Sequence, residues 1–242
     1  GKSALYKNDL MMLEMLAQSN WTRPLYVALT VGQENYMNLG DNFVQEGLVN
    51  RITPFTTNKP GAKNFDTEKT YHKIMTRFKF GNLKQKGLYI DETTMRMCYT
   101  HRRLLGQTAL QLIAEGKKQK AINILKKADV EIPAYNVTLD YMSGGLDMAR
   151  GWLMTGQKAK GKEYVEAVWK NASQYLNYYL SLSNDQFLMS QNDCIRQIMI
   201  MQSICDVAGM VSPQLEQKYQ KQLNNLYTLY HGRGGRMPEG NQ

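Results

Sequence analysis

Residues Leu105 to Pro133 read LGQTALQLIAEGKKQKAINILKKADVEIP, and this stretch decides the fold. Leu105, Ala109 and Leu112 recur at helical spacing and so do Ala121 and Leu125, which puts each set on one face of a helix. Gly116 sits between the two sets and ends the first helix, because glycine takes the left-handed conformation of a helix C-cap without penalty. Pro133 stops the second. The spacing predicts a hairpin of two antiparallel helices, one over about 93–114 and one over about 118–130.

The same positions fit a tetratricopeptide-type repeat, whose pattern places a large, a small and an aromatic residue on the first helix and an alanine, an aromatic and a proline on the second. Leu105 takes the large position, Ala109 the small one and Leu112 that of the tyrosine. Ala121, Leu125 and Pro133 follow in register, and Thr108 departs where leucine is expected. The small residues let the helices approach closely while the leucines fill the seam. A weaker second unit turns at Gly156, 40 residues after Gly116. The repeat is about 34 residues long, so a short insertion falls near residues 133–138. Ala149, Trp152, Gly161 and Val165 occupy the matching positions, and the second helix runs on through Trp169, Tyr175 and Tyr179.

Upstream the pattern is mixed. A first helix is predicted from Ala4 to Ser19, with Leu5, Met12, Met15 and Leu16 as a core-facing stripe widened by Leu10 and Leu13. Pro24 forces an extended segment, Leu25 to Val31, which reads as a strand covered on both faces. Leu48 to Thr53 reads as a second strand. The connector between them carries short helical turns. A loop over 56–66 leads to a short helix, Thr67 to Phe78, capped by Asp66. Downstream, one helix is expected from Asp185 to Val207, broken by Gly209. A last one is capped by Ser212, opened by Pro213 and runs to Tyr230, ahead of a frayed tail. The fold class is therefore mostly α, with a small α+β part (1–92) packed on a tetratricopeptide-like helical array (93–232), then residues 233–242.

With 242 residues, 43% hydrophobic and 21% charged, the chain can bury a sizeable core. Its apolar runs fall short of the roughly 20 residues of a membrane helix. It opens on Gly1 rather than Met, as a piece of a longer protein does. Cys98, Cys194 and Cys205 read as buried hydrophobes, the latter pair roughly 16 Å apart on one helix and too far to bridge. The net charge of +9 concentrates partly in Lys117, Lys118, Lys120, Lys126 and Lys127, with Arg102 and Arg103 upstream. No aromatic residue is interleaved among these lysines, so they read as a solvated face. Anionic lipid headgroups are the next reading, and nucleic acid is not expected as a partner.

Motifs for catalysis are missing from the sequence. Gly1-Lys2-Ser3 lacks the upstream glycine of a phosphate loop, and neither H-E-x-x-H nor G-x-S-x-G nor Asp-x-Asp occurs. Cys98 and His101 share a helical face, but no second ligand pair accompanies them, so no metal and no cofactor is expected. The inner face of the first repeat helix carries Arg103, Gly106, Leu110, Ile113 and Ala114, and that of the second unit Ser143, Leu146, Arg150, Leu153 and Met154. Arg103 and Arg150 are the candidate partner-binding residues, able together to grip a carboxylate. The apolar remainder of that face is expected to pack on the N-terminal part.

Four stretches carry a resemblance: NDLMMLEMLAQSNWTRPLYVALTVG (8–32), NFVQEGLVNRITPF (42–55), FKFGNL (78–83), and YIDE (89–92) ahead of a helix with Arg96. They resemble the soluble C-terminal region of large bacterial inner-membrane proteins similar to protein O-mannosyltransferases, a family classed among lipid-linked-sugar glycosyltransferases. The resemblance implies that catalysis belongs to a multi-spanning upstream module and that this region lies on the extracytoplasmic, periplasmic side. The expected function is a noncatalytic accessory region, a scaffold or docking module for a protein or glycan acceptor, with its own upstream membrane domain as partner. A self-contained glycan-acting enzyme and a basic nucleic-acid binder are the alternatives.

Overall fold

The computed structural model describes residues 4–56 and 64–237. The chain is mostly α-helical with a small α+β part at its N-terminus, and it divides into two compact units, 1–79 and 80–242. Most of the expected 56–66 loop and the end of the tail lie outside the described residues.

In the N-terminal unit, α1 (Lys7–Ser19) precedes a four-stranded sheet of order β1-β3-β2-β4. Its strands are β1 (Tyr26–Ala28), β2 (Phe43–Gln45), β3 (Val49–Ile52) and β4 (Asn64–Phe65). β3 pairs antiparallel with both β1 and β2, and β4 runs parallel to β2. Two of these strands come from segments read as connector and loop, because two or three residues are too short to show alternation. α2 (Thr67–Thr76) follows, with Asp66 accepting from the Lys69 amide at 2.9 Å as its N-cap.

Two expectations fail in this unit. β1 is not covered on both faces: Tyr26 is 47% exposed, and Lys73 lies over its ring. Nor is the α1 stripe core. Asp9 is the one buried residue of α1, its carboxylate accepting from the Tyr6 amide at 3.0 Å, while Leu5, Leu10, Leu13 and Met15 are all exposed.

What does hold this unit together is polar. Glu46, at 2% exposure, meets Arg51 at 2.8 Å, Lys69 at 3.0 Å and Lys73 at 3.1 Å, so one carboxylate joins the β2–β3 turn to α2. Burial works against its charge, but the hydrogen bonds from Lys69 and Lys73 outweigh it and hold the carboxyl below its ordinary 4.5.

The second unit holds α3 (Glu92–Ala114), α4 (Lys118–Glu131), α5 (Gly145–Met154), α6 (Lys158–Ser181), α7 (Asn184–Met189), α8 (Gln191–Val211) and α9 (Pro213–Gly232). Its first segment, 80–91, belongs here because Phe80, Leu83 and Ile90 pack on Cys98, Ile132 and Val137. α3 packs on α4 and α5, α5 on α6, and α8 on α6 and α9, so each hairpin leans on the next. Leu105, Ala109, Leu112, Ala121 and Leu125 are all fully buried, and Thr108 is accommodated by donating its hydroxyl to the Leu104 carbonyl at 2.7 Å.

The α3–α4 and α5–α6 turns are built alike. Gly116 and Gly156 have φ of +75° and +87°. In the first turn the Lys117 amide donates to the Leu112 carbonyl at 2.8 Å and the Gly116 amide to that of Ile113 at 2.9 Å. In the second, Gln157 to Trp152 and Gly156 to Leu153 repeat the pattern, both at 2.9 Å. Each pair of bonds closes a Schellman motif, which satisfies carbonyls that a helix end otherwise leaves open.

Two downstream expectations change. The helix read as Asp185–Val207 is two, separated at Ser190, and Ser183 and Gln186 form a capping box that starts the short α7. Gly209 does not break α8. It keeps helical geometry, and the Glu216 carboxylate lies where a Cβ would be, at 2.7 Å. α8 is long and apolar enough to cross a membrane by length and composition, yet half of it is buried against neighbouring helices, as a core helix is. Beyond α9, Arg233 is tied down, donating to the Leu180 carbonyl at 2.6 Å with its guanidinium over the Phe187 ring.

Candidate functional site

Arg103 on α3 and Arg150 on α5 line one cleft of about 240 Å³ with Gln107, Tyr141, Asp147 and Ser203. The two arginines reach it because α3 and α5 pack side by side. Close approach is enforced at Gly144, where a Cβ would stand 2.7 Å from the Arg103 Cα. Arg103 is exposed and donates to the Met142 carbonyl at 3.2 Å. The Arg150 side chain is 39% exposed, and its guanidinium lies 3.8 Å from the Asp147 carboxylate. Burial pushes the Asp147 carboxyl above its ordinary 3.8, against the pull of Arg150 and Arg103. The cleft thus offers two guanidinium groups that one half-buried carboxylate does not fully neutralise.

A second cleft of about 280 Å³ adjoins it across Tyr141 and Met142, which line both. Its walls carry Tyr99, Asp140, Tyr175, Tyr179 and Arg196. The Tyr99 hydroxyl is pushed up to about 12 by burial and by the facing Asp140 carboxylate. The two clefts form a concave strip on α3, α5, α6 and α8 that mixes arginine with tyrosine.

The Tyr141–Met142 ridge owes its position to Arg102, a side chain read from the sequence as part of a basic surface. Arg102 is fully buried. It donates to the carbonyls of Ile132, Val137 and Thr138 at 2.8, 2.6 and 2.8 Å and to the Ser143 hydroxyl at 3.1 Å. These bonds gather the insertion after Pro133 onto α3. Desolvation lowers the pKa of Arg102 below its ordinary value, opposed by the nearby Tyr164 and Asp140.

Other residues read as inner-face groups are placed differently. Ser143 is buried against Arg102, and Leu153 is buried where it would collide with any Cβ at Gly161. Leu146 does line the cleft. The lysine cluster is not one free face. Lys117 pairs with Glu115 at 2.7 Å and Lys127 lies over the Phe80 ring, while Lys118 and Lys126 are exposed. Cys98 is buried, and His101 Nδ1 lies 2.7 Å from the Met97 carbonyl. Among the described residues no three His, Cys, Asp or Glu side chains gather as a metal site.

Sequence reasoning missed Asp147, Ser203 and Tyr141. Asp147 was accessible to it, lying one helical turn before Arg150. Ser203 comes from α8, and Tyr141 from a loop whose course depends on Arg102, so neither carried a local signal.

Residues 1–69 match the family model of TMEM260-associated domain 2. The match is consistent with a domain associated with a membrane protein, and it covers most of the N-terminal unit up to the first residues of α2. No curated protein and no solved structure matches the chain.

Proposed function

We propose that this chain is a noncatalytic, extracytoplasmic docking region of a membrane glycosyltransferase-like protein. In this reading its tetratricopeptide-like hairpins hold out the strip on α3, α5, α6 and α8 to an acidic segment of a partner or acceptor polypeptide. The observation that carries it is the convergence of Arg103 and Arg150 on one cleft. Paired guanidinium groups recognise a carboxylate through charge-assisted, bidentate hydrogen bonds. The neighbouring tyrosines supply rigid, amphipathic contact area of the kind enriched at interfaces. The match over residues 1–69 and the resemblance to the O-mannosyltransferase-like family support the membrane setting.

The test is fluorescence anisotropy with a labelled peptide ending in three glutamates. Binding is expected to weaken about tenfold or more in the double variant Arg103→Ala/Arg150→Ala. It is expected to strengthen in Asp147→Asn, which removes the competing carboxylate. As pH falls through the raised range of Asp147, the wild type should move toward the Asp147→Asn behaviour. Equal affinity in wild type and double variant removes the cleft from the proposal. In the full-length protein, unchanged glycosylation with the same two substitutions would remove its role in docking the acceptor.

A further inference from the structure

The N-terminal unit contains a larger cleft, about 520 Å³, within the roughly 300–1,000 Å³ of small-molecule sites. Phe43 and Gln45 of β2 and Asn50 of β3 line it, with Asn50 the cross-strand partner of Gln45. The connector after β1 contributes Tyr36 and further polar groups. Among the described lining residues five are amides, Gln33, Asn38, Gln45, Asn50 and Asn64, and Asp41 is the one ionised group.

Two observations set this cleft apart from an ordinary surface hollow. Asn50 and Asn64 are half-buried in its wall and Gln33, Asn38 and Asp41 stand exposed along it, and none of the five side chains makes a hydrogen bond to a described residue, which leaves them open to a ligand. At its rim, Met37 and Asn38 are consecutive residues in the left-handed region, with φ of +49° and +61°. Backbone held there is strained, most of all for a bulky residue such as Met, and such strain clusters at ligand sites.

The chemistry of the wall narrows the ligand. An amide side chain offers both donor and acceptor, as a hydroxyl does, and a lone carboxylate accepts from adjacent hydroxyls. Among the described lining residues the charged side chain is Asp41, so these walls offer amides and a carboxylate to a ligand's hydroxyl groups. Tyr36 and Phe43, packed edge to face at 4.9 Å, supply an apolar side for C–H groups. We propose that this cleft binds a neutral saccharide unit.

The experiment uses the whole 242-residue chain, labelled with nitrogen-15 and titrated in turn with the methyl glycosides of glucose, galactose, mannose and N-acetylglucosamine. At least one is expected to give saturable shifts of the side-chain amide signals of Asn50 and Gln33. Asn50→Ala and the isosteric Asp41→Asn should each weaken that sugar about tenfold or more, with the backbone spectrum otherwise in place. The proposal is overturned if no glycoside shifts these signals at tens of millimolar. It is equally overturned if both variants bind as the wild type does, or if a Gly-Ser octapeptide saturates the same signals and the sugars do not.

Discussion

Arg102 and Arg103 are neighbours of the same type with opposite roles. One step along a helix turns a side chain by about 100°, which takes Arg102 into the core and leaves Arg103 at the cleft. Arg102 satisfies the carbonyls of Ile132, Val137 and Thr138, and it also donates to the Ser143 hydroxyl, which Asp140 engages as well. Arg102→Ala is therefore expected to cost about 3 kcal/mol or more, since unpaired buried polar groups carry their full desolvation penalty. In a unit of this size that lowers Tm by roughly 6–12 °C, measured by circular dichroism. Arg102→Lys should restore less than half of the loss, because a point charge cannot span the separate acceptors. A fall of less than about 2 °C for the alanine variant would show that the clamp is not what fixes the insertion. Periodicity puts Arg102 on the stripe of Leu105 and Ala109 and Arg103 off it, but the acceptors that let Arg102 be buried come from Ile132 to Ser143, whose course the local pattern does not show.

Among the elements, the hairpins were the most legible and the sheet the least. Gly116 and Gly156 announce their turns locally, because a left-handed C-cap needs a residue without a Cβ wherever the helix ends. β2 is three residues long and has no meaning until β3 pairs with it. Its link to α2 is the Glu46 cluster, which has a pH signature. A carboxyl whose folded pKa is depressed contributes fully above its ordinary 4.5, and that contribution drains away as pH falls through the lower folded value. Protection of the β2 and β3 amides, taken as the exchange rate relative to the intrinsic rate at each pH, is expected to fall progressively below pH 4.5 in the wild type. In Glu46→Gln that protection should already be lower at neutral pH and show little further acid dependence. Parallel acid profiles for the two proteins would count against the cluster as the tie between sheet and helix.

The whole molecule divides at Lys79, and its two units are stabilised differently. The helical unit has a continuous apolar core from Leu105 to Tyr230. In the N-terminal unit Phe43, Ile52 and Ile74 are the buried large hydrophobics among the described residues, beside the buried polar Glu46, Gln45 and Thr70. A fragment of residues 80–237 is expected to keep its helical circular dichroism and to unfold in one cooperative transition. A broad, non-cooperative melt would mean that its core is incomplete without the first unit.

Periodicity and glycine placement were enough to set the helical class, the α3–α4 and α5–α6 seams and the caps at Asp66 and Ser212. These depend on interactions within a few residues, which the order of side chains dictates directly. The exposure of the α1 stripe, the burial of Arg102, the split at Ser190 and both clefts were decided by tertiary structure. Each depends on contacts between segments tens of residues apart, where the geometry of packing and not the local pattern selects which side chains meet. Arg103 and Arg150 mark the boundary between the two kinds of knowledge. Their helices could be read from the sequence, whereas Asp147 and Ser203 joined them in one cleft only once α3, α5 and α8 had packed.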